Sequence, residues 1–214
     1  MPIKQGDFVE IEYTGKTDTG DVFDTTDENV AKKEGLTSGH AHYGPQTICV
    51  GRGHVLKGID AWLIGKENGT STTLVLKPEN AFGKKNAKLI QMIPTKRFLE
   101  QQMRPAPAMP IEVDGMYGII KTVTGGRTVV DFNHPLANKE ITYDLKINTI
   151  VTDRAKQVEA LCTMHHLHGA VVSWDAGSDT ATIKIPNALP PQIQDAFTKE
   201  ITAMTGAKNI TFTK

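Results

Sequence analysis

Apolar and polar residues alternate along the first part of the chain in the way that β-strands require. Residues 8–13 (FVEIEY) show this alternation and predict a half-buried strand. Residues 55–64 instead bring Ile59, Trp62 and Leu63 to one face of a short helix, which ends at Gly65. Residues 22–23, 47–50 and 70–77 predict further strands, and residues 27–44 predict a polar loop. The first segment is therefore predicted to be strand-rich with one helix, and Trp62 to be core.

The pattern changes after residue 83, where methionine and proline become frequent. Residues 84–130 contain four of the seven methionines of the chain. Thr95 is expected to cap a helix over residues 96–104, which a run of prolines ends. Two strand patterns flanking a Gly-Gly turn predict a hairpin, and a further strand follows it. These strands are expected at residues 116–123, 127–132 and 142–150.

A third pattern follows residue 152. Asp153 is the predicted N-terminal cap of a helix that ends at Gly169, and Pro190 opens a second helix. Two strand patterns lie between these helices and one follows them, so the order is α-β-β-α-β. The fold class is predicted to be α+β. Three domains are predicted: a discontinuous one at residues 1–83 and 131–151, a small β-rich insert at residues 84–130, and a C-terminal one at residues 152–214.

Composition narrows the classes of function. The chain has 24 basic and 24 acidic residues, and this balance argues against nucleic acid or an anionic membrane as the main partner. The charge is uneven, since the insert carries +5 and the discontinuous domain −5. Two cysteines, Cys49 and Cys162, form no disulfide framework and suit a reducing compartment. The sequence starts without an apolar leader and has no stretch of 18 apolar residues, so a soluble cytoplasmic protein is expected.

Four short motifs stand in order along the chain. The first pairs IEYTG at residues 11–15 with VFDTT at residues 22–26. The others are VGRGHVLKGI at residues 50–59, NAFG at residues 80–83 and DFNHPLANK at residues 131–139. Together they resemble the FKBP-type peptidyl-prolyl isomerases. The last motif resembles the SlyD-like branch, in which an insert-in-flap domain interrupts the isomerase, and the C-terminal segment resembles the extra domain of long archaeal members in layout only.

The resemblance implies an antiparallel half-barrel sheet around a short helix, with a pocket for proline. The pocket would be lined by aromatic and aliphatic side chains and one acid: Tyr13, Phe23, Asp24, Val55, Leu56, Ile59, Phe82 and Tyr143. Ile59 and Phe82 stand where the best-known eukaryotic members have Trp and Tyr, so weaker binding of macrolide inhibitors is expected. Without the motifs, Tyr13, Phe23 and Ile59 would be interpreted as core, Asp24 as a turn acceptor and Phe82 as flap packing.

The implied activity is the rotation of X–Pro bonds in unfolded or nascent polypeptides, with no cofactor and no metal. The insert is interpreted as a surface that holds clients, because methionine is flexible and adapts to many partners. The residues expected on it are Ile90, Met92, Ile93, Phe98, Met103, Met109 and Met116. The alternative is that the methionines only fill gaps in a small core.

Two other functions stay open on the sequence alone. The residues at positions 59 and 82 are compatible with a holdase chaperone whose isomerase pocket is vestigial. A metal-handling protein would use His165, His166 and His168, or His40 with His42, although a cationic histidine at a helix C-terminus is favourable without any metal. Residues 152–214 are also a candidate surface for a homodimer.

Overall fold

The computed structural model describes residues 1–36, 43–167, 169–186 and 189–213. The chain divides into two units, one formed by Met1–Val75 with Thr142–Lys214 and the other by Leu76–Ile141. The three-domain division drawn from the sequence places its borders elsewhere and stays a prediction. Within the described ranges, no helix is both long enough and apolar enough to cross a membrane.

Strands outnumber helices along the described parts of the chain. The strands are β1 Phe8–Thr17, β2 Val22–Thr25, β3 Gln46–Cys49, β4 Ser71–Leu76, β5 Ile90–Pro94, β6 Pro110–Val113, β7 Met116–Thr124, β8 Arg127–Asp131, β9 Ile141–Ile150, β10 Val171–Asp175, β11 Thr180–Lys184 and β12 Asn209–Thr213. The α-helices are α1 Glu28–Lys33, α2 Lys57–Leu63, α3 Thr95–Glu100, α4 Arg154–Met164 and α5 Pro191–Thr205. Short 3₁₀ turns lie at Pro78–Asn80 and Ala87–Leu89.

The first unit contains a five-stranded sheet with the order β2-β1-β9-β4, in which β3 also pairs with β1. The first half of β1 is antiparallel to β3, from Phe8 opposite Cys49 to Ile11 opposite Gln46. Its second half is antiparallel to β2. The mixture of α and β elements and the antiparallel pairing agree with the predicted α+β class. The five-stranded sheet is consistent with an FKBP-like fold.

Both faces of β1 are buried at its beginning, although the sequence pattern predicts only one buried face. Val9 and Ile11 share one face by alternation, and Phe8 points to the other, where it is 1% exposed. Phe8 and its partner Cys49 belong to one hydrophobic core with residues of α4 and α5, including Leu161. The segment after β9 therefore packs directly on the sheet. Its own three strands form a second sheet in the order β10-β11-β12, of which the last two are parallel.

The second unit contains a four-stranded antiparallel sheet in the order β5-β8-β7-β6. The turn between β7 and β8 is made by Gly125 and Gly126, whose φ angles of +56° and +75° explain why two glycines are needed there. One face of the sheet carries a small core of five buried residues: Phe98, Ile111, Ile120, Val130 and Phe132.

The structure corrects four expectations drawn from the pattern. The segment interpreted as a loop contains α1, because the Asp27 carboxylate accepts hydrogen bonds from the backbone N–H groups of Asn29 and Val30 and caps the helix. The strands β5 and β6 were not predicted. Helix α3 is shorter than expected and is not capped by Thr95, whose hydroxyl pairs with Thr128. Trp62 is only partly buried, since α2 buries Ile59 and Leu63 and leaves the indole under the Lys66 ammonium group.

Candidate active site

Three aromatic rings from three strands meet on one face of the sheet of the first unit. Tyr13 lies on β1, Phe23 on β2 and Tyr143 on β9. The ring centroids of Tyr13 and Tyr143 are 5.8 Å apart, and those of Phe23 and Tyr143 are 5.7 Å apart, both in edge-to-face contact. The structure thus brings together three residues that are distant in sequence.

Gly15 makes this cluster sterically possible. A Cβ atom at position 15 would lie 2.8 Å from the Phe23 ring and 2.9 Å from the Tyr143 ring. The φ angle is not in the left-handed region, so the glycine is required by the close approach of the rings and not by backbone conformation. The pairing of β1 with β2 shifts register between Gly15 and Lys16, so the ladder is irregular beside Phe23.

Two buried threonines fix the end of β2, beside Asp24. Thr26 accepts a hydrogen bond from the Tyr13 backbone N–H at 2.9 Å, and its own N–H donates to the Tyr13 carbonyl at 2.9 Å. The Thr25 hydroxyl is 2.8 Å from that of Thr14. The VFDTT motif is therefore held to β1 through both threonines.

The Asp24 carboxylate accepts a hydrogen bond from the Tyr13 hydroxyl. Burial raises the pKa of Asp24, and the hydrogen bonds from Tyr13 and from the Thr25 backbone oppose that rise. Burial, followed by the nearby Asp24 charge, raises the pKa of Tyr13 above its ordinary range, and the pKa of Tyr143 is raised for the same two reasons. Both phenols consequently stay protonated at neutral pH and can donate hydrogen bonds.

A loop and the start of α2 position the aliphatic residues predicted for the site. Val55 and Leu56 are half-buried, and Leu56 is the N-cap residue of α2. The Leu56 carbonyl accepts the first helical hydrogen bonds, from Ile59 N–H at 2.9 Å and Asp60 N–H at 3.0 Å. Ile59 is 2% exposed and belongs to the core.

A small cavity of about 310 Å³ adjoins Phe23 and Asp24. Leu36, Tyr43 and Gln46 also line it, and the sequence reasoning named none of these three. Tyr43 could have been noticed, since aromatics are only 6% of the chain and this one stands before Gly-Pro at the entry to a strand. The volume of this cavity lies at the small end of the range for ligand-binding pockets.

Phe82 lies in the second unit, where its ring stacks on the His134 imidazole with centroids 4.3 Å apart and planes at 4°. His134 belongs to the DFNHPLANK motif. In that motif Asn133 joins the two chain segments that border the sheet, since its side chain accepts from Asn86 N–H at 2.7 Å and donates to the Asn86 carbonyl at 3.1 Å. Asn138 N–H also donates to the Gly83 carbonyl at 2.9 Å. The motif thus holds together the two chain segments that enter and leave the four-stranded sheet of this unit.

The residues expected to hold clients fall into two groups. Ile90 and Met92 are exposed on the sheet face opposite the core, and Met116 is exposed at the start of β7. Ile93, Met103 and Met109 pack against the core, and Phe98 is buried within it at 3% exposure. Phe98 is therefore not presented to a client in this structure. Tyr117 and Leu99, which are 60% and 54% exposed, were not among the predicted residues, because the prediction rested mainly on the methionine content of the insert.

The histidines do not form a metal centre within the described ranges, where no group of three or more His, Cys, Asp or Glu side chains could hold an ion. The His165 Nε2 atom lies 2.8 Å from a Glu200 carboxylate oxygen, and its ring contacts Phe197. His40, His42 and His168 lie outside the described residues.

Comparison with known proteins agrees with the fold and with the site motifs. A family model described as FKBP-type peptidyl-prolyl cis-trans isomerase matches residues 1–100, and one described as the IF domain of FKBP26 matches residues 91–136. A short-type peptidyl-prolyl cis-trans isomerase of Methanocaldococcus jannaschii is 34% identical over 148 residues, which are 69% of this chain and 94% of that protein.

Bacterial relatives give the same result. A probable FKBP-type 16 kDa peptidyl-prolyl cis-trans isomerase of Pseudomonas fluorescens is 31% identical over 149 residues, 68% of this chain and 89% of that protein. An isomerase of Treponema pallidum named SlyD is 26% identical over 160 residues, 70% and 79% of the two chains. The chain belongs to the FKBP-type peptidyl-prolyl cis-trans isomerases, in their SlyD-like branch, and is an enzyme of that class. The holdase and metal-handling alternatives are not favoured.

Proposed function

We propose that the enzyme rotates X–Pro bonds of unfolded and nascent polypeptides, and that the second unit holds these clients while it does so. The cluster of Tyr13, Phe23 and Tyr143 around Gly15 is the observation that supports an apolar proline site. Asp24, Val55, Leu56 and Ile59 complete the proposed site in the first unit, and Phe82 is proposed to contribute to substrate binding. The proposal needs no cofactor.

The chemistry suits a site with few polar groups. Rotation about an X–Pro bond breaks amide resonance, with a barrier of about 18–20 kcal/mol, and takes tens of seconds without a catalyst. The twisted amide has less charge separation than the planar one, so an apolar, water-poor site binds the transition state better than the ground state. Acceleration by roughly 10⁴-fold requires about 5–6 kcal/mol of such differential binding.

Asp24 has an orienting role in this proposal. Its carboxylate accepts a hydrogen bond from the Tyr13 hydroxyl and lies beside the rings, so it presents a fixed negative charge to the substrate amide. Because the reaction moves no proton between substrate and enzyme, Asp24 acts as an acceptor and not as a proton shuttle.

The open face of the four-stranded sheet supports the client-holding role. Ile90, Met92 and Tyr117 are exposed at 43%, 59% and 60%, and strand alternation places all three on the face opposite the small core. Ile93, Phe98, Met103 and Met109 are proposed to support that face from within. The insert carries a net charge of +5, which favours acidic client segments and is weakened by salt.

The test separates catalysis from client holding by comparing two substrates. Met92→Ser with Tyr117→Ser should lower the rate of catalysed refolding of a proline-limited protein by about fivefold or more, because clients are no longer held on the enzyme. The kcat/KM on a tetrapeptide should stay within twofold of the unmodified enzyme. Val171→Ser is the matched control, since Val171 is an equally exposed strand residue of the first unit. Equal losses on both substrates would contradict the client-holding role.

A cytoplasmic location and a homodimer formed through residues 152–214 stay predictions. Light scattering of the full chain is the measurement for the second, and a molar mass twice that of the 23.4 kDa chain is the expected result.

A further inference from the structure

Asp60 holds the loop between β3 and α2 through hydrogen bonds to its backbone. Gly51 and Gly53 have φ angles of +79° and +74°, and their N–H groups donate to the two oxygens of the Asp60 carboxylate at 2.9 and 3.2 Å. Asp60 lies in the first turn of α2. The loop that leads to Val55 and Leu56 is therefore closed onto the helix that follows it.

His54 holds the same loop to the end of β3. Its Nδ1 atom accepts a hydrogen bond from the Cys49 backbone N–H at 3.0 Å. This N–H lies at the edge of β3 that does not pair with β1, because the hydrogen-bonded pair next to it is Val50 with Asp7. An imidazole that accepts at Nδ1 is neutral and carries its proton on Nε2. A protonated ring could not accept this bond.

The same imidazole faces the C-terminal segment. His54 lines a cavity of about 560 Å³ whose other walls include Glu10 of β1 and Lys156, Glu159 and Met164 of α4. The charged and titratable groups that act on it are Arg52 of its own loop, Asp60 of α2, His165 after α4 and Glu200 of α5. Since Cys49 also shares a core with α4 and α5, the C-terminal segment reaches this loop through both packing and charge.

We infer that His54 is a positioning residue for the isomerase site. In its neutral form, His54 holds in place the loop that carries Val55 and Leu56. Residues 152–214 set the pH at which protonation of His54 breaks its hydrogen bond and frees that loop. The inference rests on the proposed role of Val55 and Leu56 in binding substrate.

The direction of the pH effect follows from the surroundings of the ring. Burial lowers the pKa of His54, whereas the carboxylates of Glu200 and Asp60 oppose that lowering. A lowered pKa means that the folded state favours neutral His54, so the fastened loop is intact near neutral pH. The hydrogen bond from the Cys49 N–H to His54 is lost as the pH falls below the ordinary histidine pKa toward the lowered pKa of His54.

The experiment is a protease-free measurement of kcat/KM on a tetrapeptide between pH 5.0 and 8.0, with circular dichroism at each pH to verify folding. The unmodified enzyme should lose activity by about fivefold toward the acid end. His54→Asn, whose Oδ1 can accept the Cys49 N–H and does not titrate, should keep most of the activity at pH 7.5 and lose much of this acid decline. His54→Ala should lose about fivefold at pH 7.5.

Glu200 supplies the readout that a merely structural role would not give. Glu200→Gln removes a charge that favours protonated His54, so the acid decline should move to lower pH. Asp195→Asn is the matched control, an exposed acid on the same helix, and should leave the profile unchanged. Superimposable profiles for the unmodified enzyme and His54→Asn, full activity of His54→Ala, or a Glu200→Gln profile that does not move would overturn the inference. Full activity of Leu56→Ala would instead contradict the proposed site.

Discussion

Gly15 lies where the rings of Phe23 and Tyr143 come closest to the backbone of β1. The separation leaves no room for a methyl group, because contacts of 2.8–2.9 Å are shorter than real Cβ atoms show. The neighbouring rings are held by edge-to-face contact and cannot both move away without disturbing Tyr13. The identity of this one residue therefore decides whether the aromatic cluster forms.

Gly15→Ala is expected to lower kcat/KM on a tetrapeptide by tenfold or more and the free energy of unfolding by about 1–3 kcal/mol, as overpacking does. Gly177→Ala is the matched control, because Gly177 also lacks a positive φ and its Cβ would only touch Asp175 at 3.4 Å. Peptide kinetics and urea unfolding measure the two effects. Retained activity in Gly15→Ala would contradict the placement of the site around these rings.

Asp24 and Tyr13 act together at the same scale. Asp24→Asn should lower kcat on a tetrapeptide by about three- to tenfold with little change in KM, because the asparagine side chain still fits but carries no negative charge to act on the twisted substrate amide. Tyr13→Phe should lower kcat by a similar factor, and the double variant should lose little more than either single one, since the hydroxyl acts through the carboxylate. Multiplicative losses would show that the two groups act independently.

At the scale of elements, the DFNHPLANK motif stabilises the four-stranded sheet of the second unit through hydrogen bonds. Asp131 is buried at the end of β8, where it accepts hydrogen bonds from the Lys85 ammonium at 2.9 Å and from the Asn133 side chain at 2.8 Å. Burial alone would raise the pKa of Asp131, but the hydrogen bonds from Lys85 and Asn133 outweigh it and hold the pKa at about 2. A depressed pKa stabilises the folded state above the ordinary aspartate pKa, and this stabilisation is lost as the pH falls toward 2.

Asp131→Asn should therefore lower the stability of the four-stranded sheet by about 1–3 kcal/mol at pH 7 and by progressively less between pH 4 and pH 2. Amide hydrogen exchange of β7 and β8 is the measurement, because both tryptophans of the chain, Trp62 and Trp174, lie in the other unit. Asp179→Asn, which breaks an exposed ion pair with Lys208, is the control and should change little. A pH-independent difference would mean that the charge of Asp131 does not stabilise the sheet.

At the scale of the whole molecule, residues 152–214 share a core with the isomerase sheet. Leu161 on α4 is completely buried in the cluster that contains Phe8 and Cys49. The segment therefore covers a sheet face that would otherwise expose a phenylalanine, and it contributes to the stability of the catalytic unit as well as its own.

Leu161→Ala should lower the free energy of unfolding by about 2–5 kcal/mol, and the loss should appear in β1 as well as in α4. Hydrogen exchange resolved by residue separates the two elements, and Leu99→Ala, at a half-exposed position of the second unit, is the control. Faster exchange confined to residues 152–214 would show that this segment unfolds on its own, as a separate domain would.

The sequence by itself determined the elements that local chemistry specifies. Asp153 caps α4 as predicted, Gly206 ends α5 at a φ of +73°, and the Gly-Gly turn joins β7 to β8. The ordered motifs also determined the family, because each motif is short and continuous. Val9 and Ile11 were recognisable as core, since a strand with one buried face leaves a period of two.

Only the tertiary structure decided what covers the other face of β1 and which rings meet. Phe8 is out of phase with its strand, and its burial depends on α4 and α5, more than 140 residues away in the chain. The contacts of Gly15 with Phe23 and Tyr143 depend in the same way on strand pairing, whereas the contact of His54 with Cys49 depends on how the short loop between them closes. A sequence pattern records which side chains avoid water, but the partner that shields them is chosen by the packing of distant segments, and that choice leaves no periodic signal.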